Sequence, residues 1–388
     1  YHLLQNFSGI LAFDYHIIDG LTFTLQGAYV TNIKETKDYR KECWYDDVNY
    51  HGPDQLGETI SRWSRYTLDA LLNYDKTFNQ DHHFKAMVGY KIEKYDYRNL
   101  YAFRKSFPNS EVTDLNGGDS STQTNSGYSR ELALLSYFGR LNYDYKGKYL
   151  LEANFRADAS SRFAKGYRWG YFPSAALGWR ISEEDFMKDI SWIQNLKLRA
   201  SYGETGSQAI TAYQSLASFS TTSYVLNGSS AVALVPGRVP NPDLKWETTK
   251  QTDIGIDLSV LGGRISLVAD YYYKKTVDLH YDKILPYYTG YSSQTQNIGS
   301  KSNKGWEFSL NTQNLVGDFK WSTSLNIALN REKVLDLGDD EYFYTNGSGG
   351  ALGAGFNETG IVKVGEPLGN FYGYVFDGIY QNEAEAKA

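Results

Sequence analysis

The chain has 388 residues, with 39 Lys and Arg against 45 Asp and Glu, and both signs are mixed along its length. It has no basic cluster of the kind nucleic-acid binding needs, and no run of about 18 apolar residues, which excludes a transmembrane helix but not a β-barrel. A single Cys excludes an internal disulfide, and Cys43, set in a polar stretch, reads as a free thiol rather than a ligand or nucleophile.

In chain order the strands come as hairpins. Phe7 to Ile18 turns at Asp19-Gly20 and returns as Leu21, Phe23, Leu25, Gly27 and Tyr29, alternating with Thr22, Thr24 and Gln26. Arg65 to Lys76 turns around Phe78 to Asp81 and returns as His83 to Tyr95. The clearest hairpin runs from Leu132 to Ser160 about Lys146-Gly147. In its second arm Tyr149, Leu151, Ala153, Phe155 and Ala157 alternate with Leu150, Glu152, Asn154, Arg156 and Asp158. Alternate residues of a strand face opposite ways, so one face is apolar and the other charged. Each arm matches the roughly 9–11 residues that cross a bilayer at a tilt, and full charges on one face suit a water-filled lumen. Gly170 to Ile181 pairs with Leu196 to Tyr202, Gln251 to Val260 with Ile265 to Tyr273, and Trp306 to Leu315 with Trp321 to Leu329. The pattern predicts an all-β, antiparallel, up-and-down transmembrane barrel wall of about twelve strands.

The connections support the same architecture. Short turns alternate with long polar loops, expected at Asn32 to Ser64, Asp96 to Glu131, Glu204 to Lys245, Val277 to Asn303 and Arg331 to Glu366. Ala159 to Tyr171 is a shorter loop on the same side, and Ser182 to Asn195 a longer link on the short-turn side. Outer-membrane barrels have this asymmetry, with short periplasmic turns and long extracellular loops. Tyr143, Tyr145 and Tyr149, with Phe319 and Trp321, flank short turns, and Tyr271 and Tyr273 lie at the opposite rim, as expected of two interfacial girdles.

Several motifs resemble the SusC/RagA family of TonB-linked outer-membrane proteins. They are Ser136-Tyr137-Phe138-Gly139-Arg140-Leu141-Asn142-Tyr143, Arg156-Ala157-Asp158-Ala159-Ser160-Ser161-Arg162-Phe163, Phe172-Pro173-Ser174 through Trp179-Arg180-Ile181, Leu196 through Gly203, Asn241-Pro242-Asp243-Leu244-Lys245-Trp246-Glu247, and Val364 through Tyr374. The resemblance implies a roughly 22-stranded barrel with a plugged lumen. It also implies import of oligosaccharides or peptides, with a SusD-like surface lipoprotein as lid, energy supplied through TonB, and a paired assembly of two barrels and two lids. On this reading residues 1–388 are the central part of the barrel. The signal peptide, carboxypeptidase-regulatory-like domain, TonB box, plug and final strands are expected in chain outside it.

For such a transporter, aromatic rings on the long loops are candidate ligand contacts, because ring faces stack on sugars and peptide side chains. Trp44, Tyr45 and Trp63 in the first loop and Tyr287, Tyr288 and Tyr291 in the fifth meet that description. Arg140, Glu152, Arg156 and Asp158 are expected to line the lumen, chiefly pairing with one another or gripping the plug. Asp336, Asp339, Asp340 and Glu341 lack the spacing of a calcium loop and read as a solvated loop. No enzyme is expected and no cofactor or metal is called for. Asp14 and His16 share a face without a nucleophile motif, and the adjacent His82 and His83 point to opposite faces and do not share a metal. The competing functions are an iron-chelate receptor, a passive porin, and an adhesin or scaffold barrel.

Overall fold

The computed structural model describes residues 1–388 except 110, 346–358, 374, 377, 380, 382 and 384–388. Twelve strands form one antiparallel sheet, each paired with its neighbours in chain order. They are β1 (His2–Ile18), β2 (Leu21–Arg40), β3 (Gln55–Phe78), β4 (His82–Lys105), β5 (Thr124–Tyr145), β6 (Tyr149–Ser160), β7 (Trp169–Arg180), β8 (Ile193–Ser207), β9 (Glu247–Val260), β10 (Ile265–Val277), β11 (Ser300–Val316) and β12 (Lys320–Asp336). The sheet is open, with β1 and β12 at its edges.

The tight turns follow from residues that accept a left-handed backbone. Gly20 has φ 80°, and Lys146 and Gly147 have φ 55° and 67°, the conformation that matches the twist of the strands in a short hairpin. These turns hold the register that the alternation demands. Leu141 stands opposite Ala86 and Ala153, Ala153 opposite Ala175, and Leu177 opposite Leu151 and Ala200. The row continues through Ala200 and Ile254 to Tyr271, Trp306 and Leu329. Leu177 remains 61% and Ile254 60% exposed, so among the described residues nothing covers this apolar face, as expected of a surface that meets lipid.

Two lines of rings bound the apolar face. On the long-loop side Tyr29 lies 4.9 Å from Tyr66 and Tyr137 lies 5.1 Å from Tyr90, both at a tilt, and Tyr137 stacks with Trp169 at 6.0 Å. Near the short turns Tyr74 meets Phe84 at 6.2 Å and Tyr145 meets Tyr149 at 6.3 Å. Tyr137 and Tyr145 lie at opposite ends of the same stretch of β5. Their separation is about 27 Å along the strand, or about 20 Å of height at the usual tilt, close to the roughly 25 Å apolar band of such barrels.

The strands on the long-loop side run past the expected boundaries. β3 and β4 have 24 residues each, so the first long connection contracts to residues 41–54 and the second to 106–123. The apolar alternation stops where lipid stops, but the backbone ladder bonds equally well between polar side chains, so pairs such as Thr36–Thr59 and Asn99–Tyr128 extend the wall beyond the membrane. The loops carry small hairpins of their own: Cys43–Trp44 with Tyr50–His51, Ser218–Leu226 with Ser229–Arg238, and His280–Ile284 with Ser293–Asn297. Tyr342–Thr345, Gly360–Lys363 and Asn370–Phe371 form a three-stranded sheet.

Candidate ligand face and loop hub

The second face of the sheet carries the charges. Arg199 on β8 contacts Asp257 on β9 at 2.8 Å and Asp270 on β10 at 3.0 Å. To reach Asp270 it passes over Gly255, where an added Cβ would overlap both Asp270 Oδ1 and the guanidinium. A glycine here is therefore what lets one arginine cross-link three strands. Lys91 lies 3.7 Å from Asp69 and 3.6 Å from Glu93.

Of the four residues expected on this face, Arg140 donates to Asn154 at 2.7 Å and stands 4.0 Å from Glu152. Arg156 bonds Asp158 on its own strand at 2.7 Å and Ser136 on the neighbouring strand at 2.9 Å, with its guanidinium 5.3 Å from the centre of the Phe138 ring. They form two separate groups. Recesses of 450 Å³ and 900 Å³ open on this charged face, and Arg199, Ser201 and Asp253 line both.

At the long-loop rim of the same face lies a buried apolar cluster: Phe163, Phe172, Ile210, Leu244 and Trp246, with Leu134 of β5 packed against it. Trp246 packs at a tilt against Phe163 at 5.4 Å and meets Phe172 edge-on at 5.5 Å, while its indole donates to the Arg168 carbonyl at 2.8 Å. Arg162 donates to the carbonyl of Ile210, and the Ser160 hydroxyl to Gln208 at 2.5 Å. The hub thus ties connection 161–168 to connection 208–246. The next connection joins through Asn241 to the Thr295 carbonyl at 2.8 Å, the Lys245 amide to Asn297 at 2.9 Å, and the His280 amide to Glu247 at 2.7 Å. Phe163, Phe172, Leu244 and Trp246 sit inside the family-like motifs, Ile210 and Leu134 outside them, and none was a candidate from sequence. The legible signal was Phe163, Leu244 and Trp246, apolar side chains within otherwise polar loops.

The ring candidates are dispersed. Trp44 and Tyr45 are exposed on the first connection, Trp44 stacking with Tyr50 at 4.6 Å. Trp63 lies in β3 rather than in a loop, on the charged face, 5.9 Å from the Tyr95 ring. Tyr287 and Tyr288 belong to a single helical turn, Tyr287–Thr289, where Tyr288 is exposed, and Tyr291 follows it half-buried. The first and fifth connections lie toward opposite ends of the strand order. In the acidic cluster Asp339 pairs with Lys283 at 3.3 Å and Asp336 accepts from the Gly338 amide. Among the described residues no group of three metal-binding side chains forms. His82 bonds the Tyr143 hydroxyl and His83 bonds Asp75, on opposite faces, while Asp14 and His16 are engaged by Thr24 and Thr22.

Asp54 and Glu184 are among the carboxylates outside the spanning segments that are held below the usual range. Asp54, in the first connection, is lowered by the Glu42 amide and then by the Tyr39 hydroxyl. Glu184, in the link after β7, is lowered by the Tyr149 hydroxyl, the Trp179 indole and Lys148. Both serve to pin connections to strand ends.

A two-faced antiparallel sheet with an uncovered apolar band, a charged opposite face and its long loops at one rim is the wall of an outer-membrane-type β-barrel. Residues 2–384 match the family described as TonB dependent receptor-like, beta-barrel, and the chain belongs to that family. It is 40% identical over 317 residues to TonB-dependent receptor P3 of Formosa agariphila, an alignment covering 81% of this chain and 31% of that protein. It is 39% identical over 272 residues to TonB-dependent receptor SusC of Bacteroides thetaiotaomicron, covering 66% of this chain and 26% of SusC. The solved RagAB peptide transporter superposes with a TM-score of 0.81 at 25% identity, over 95% of this chain and 40% of that one. The chain therefore spans about a third of the length of the curated relatives it matches.

Proposed function

We propose that this chain is the central wall of an outer-membrane, TonB-dependent importer of oligosaccharides or peptides, working with a SusD-like surface lipoprotein. The carrying observation is the sheet's division into an exposed apolar face and a charged face crowned at one rim by interlocked loops. The charged face lines the lumen, including Arg140, Glu152, Arg156 and Asp158, and the loop rim faces outward, where the lid docks. Plug, TonB-contacting segment and closing strands come from chain outside residues 1–388, as does the remainder of a roughly 22-stranded barrel. The likeness to SusC and to the RagAB peptide transporter supports this reading, which places the protein in the outer membrane of a Bacteroidetes-like bacterium and treats it as a transporter rather than an enzyme.

The test is isolation of the full-length protein from detergent-solubilised outer membranes, with mass spectrometry of what accompanies it, alongside uptake of labelled oligosaccharides and peptides in cells with and without TonB. A stoichiometric lipoprotein and TonB-dependent uptake are expected. A barrel recovered alone, with uptake of ferric chelates or none, overturns the reading in favour of a receptor or an adhesin.

A further inference from the structure

On the charged face, β3, β4 and β5 bring three rows of side chains into line just beyond the outer line of rings. The register places Ser61, Asn99 and Tyr128 in one row, and Trp63, Tyr97 and Arg130 in the next. Arg65, Tyr95 and Leu132 follow. Tyr66, Tyr90 and Tyr137, which mark the upper edge of the apolar band on these strands, all lie nearer the short turns. The rows therefore stand in the part of the wall above the membrane.

The packing within the rows is of rings and guanidinium groups. Trp63 and Tyr95 lie 5.9 Å apart, and Tyr97 and Tyr128 5.6 Å apart. Arg65 lies 5.8 Å from the centre of the Trp63 ring, and Arg130 4.8 Å from that of Tyr128. Among the described residues neither arginine has a carboxylate within ion-pair distance, whereas Lys91 and Arg199 elsewhere on this face each contact two carboxylates. The carboxylate directly below, Glu93, is taken up by the Tyr95 hydroxyl and by Lys91 at 3.6 Å.

We infer that this platform is a binding subsite for an acidic oligosaccharide. Sugar rings lie on the faces of Trp63 and the neighbouring tyrosines, and a carboxylate or sulfate sits between Arg65 and Arg130. Flat apolar rings beside neutral hydroxyl and amide groups, here Ser61 and Asn99, match the two sides of a pyranose. The two guanidinium groups without carboxylate partners match an anion. A peptide is disfavoured because β3, β4 and β5 are interior strands whose backbone groups are already paired, which leaves no edge for strand addition. The inference rests on the importer reading and narrows its substrate.

The experiment is calorimetric titration of the purified full-length protein with four probes: hexagalacturonate, its methyl ester, a sulfated chondroitin hexamer, and hexaglutamate. At least one acidic saccharide is expected to bind. Esterification is expected to weaken hexagalacturonate by about tenfold or more, the loss of charge-assisted hydrogen bonds. The double variant Arg65→Gln, Arg130→Gln is expected to erase that difference, and Trp63→Ala to weaken acid and ester alike. Heat-modifiable gel mobility checks that each variant is folded, and the ester comparison needs no variant at all. Binding of neither acidic saccharide, stronger binding of hexaglutamate, equal binding of acid and ester, or discrimination that survives the double variant overturns the inference. If the lipoprotein copurifies and uptake requires TonB while these titrations fail, the subsite is wrong and the importer stands.

Discussion

Replacing Trp246 with alanine tests whether the loop rim is one structural unit. The side chain is 7% exposed, packs between Phe163 and Phe172, and holds the Arg168 carbonyl through its indole. Truncating a buried Trp typically costs about 3–5 kcal/mol, and losing the indole's hydrogen bond to the Arg168 carbonyl, which keeps the Ser160 amide, about 1 kcal/mol more. The sheet's own ladder does not depend on the hub, so the loss falls on local opening of connections 161–168 and 208–246 rather than on unfolding of the wall. Each 1.4 kcal/mol is a factor of ten, so amide exchange in those connections should accelerate by at least about a hundredfold. The Ser160 amide, bonded to the Arg168 carbonyl, and the Lys245 amide, bonded to Asn297, are the reporters. Hydrogen exchange by mass spectrometry on the protein in nanodiscs reads this, with Trp246→Phe keeping the ring and losing only the hydrogen bond. Unchanged exchange in both connections, or equal acceleration in β5 and in β6 short of Ser160, would refute the hub as a local clasp.

Gly255→Val drives a side chain into Asp270 and Arg199. It should break the three-strand cross-link and lower the temperature of the heat-modifiable mobility shift, whereas Gly178→Ala, whose nearest neighbour is the flexible Lys197 chain at 3.2 Å, should do so far less. Leu141 lies midway between the two ring lines on the apolar face, so Leu141→Arg should cost about 2–4 kcal/mol in refolding titrations into lipid vesicles, while Asn142→Arg on the charged face should be tolerated. Because the carboxyl of Glu184 titrates lower in the folded state, its bonds stabilise the link 181–192 above the ordinary carboxylate range. That stabilisation is lost as pH falls through the folded value. Exchange protection in that link should drop on acidification below about pH 4, and Glu184→Gln should reduce the pH dependence to the part carried by Asp185, which is lowered by Lys188 and Lys148.

The two faces of the wall and the order of its hairpins were determined by sequence alone. Lipid on one side and water on the other impose a period of two on every spanning strand, so Tyr149, Leu151, Ala153 and Phe155 declare their face without reference to any other part of the chain. The turns are equally local, because Gly20 and Lys146-Gly147 carry their backbone preference with them. Only tertiary structure decided how far the strands continue. Above the membrane rings and aliphatic side chains such as Trp63 and Ile60 are mixed with polar ones, so the period is lost, and backbone pairing carries β3 to Gln55 and β4 to Lys105, which moves Trp63 from a loop into the wall. It likewise decided the hub and the Arg199 cross-link. Phe163 meets Trp246 across the two strands β7 and β8, and Arg199 reaches Asp270 over an intermediate strand. Such contacts depend on which strands lie side by side, a property of register and closure that no local window of sequence contains.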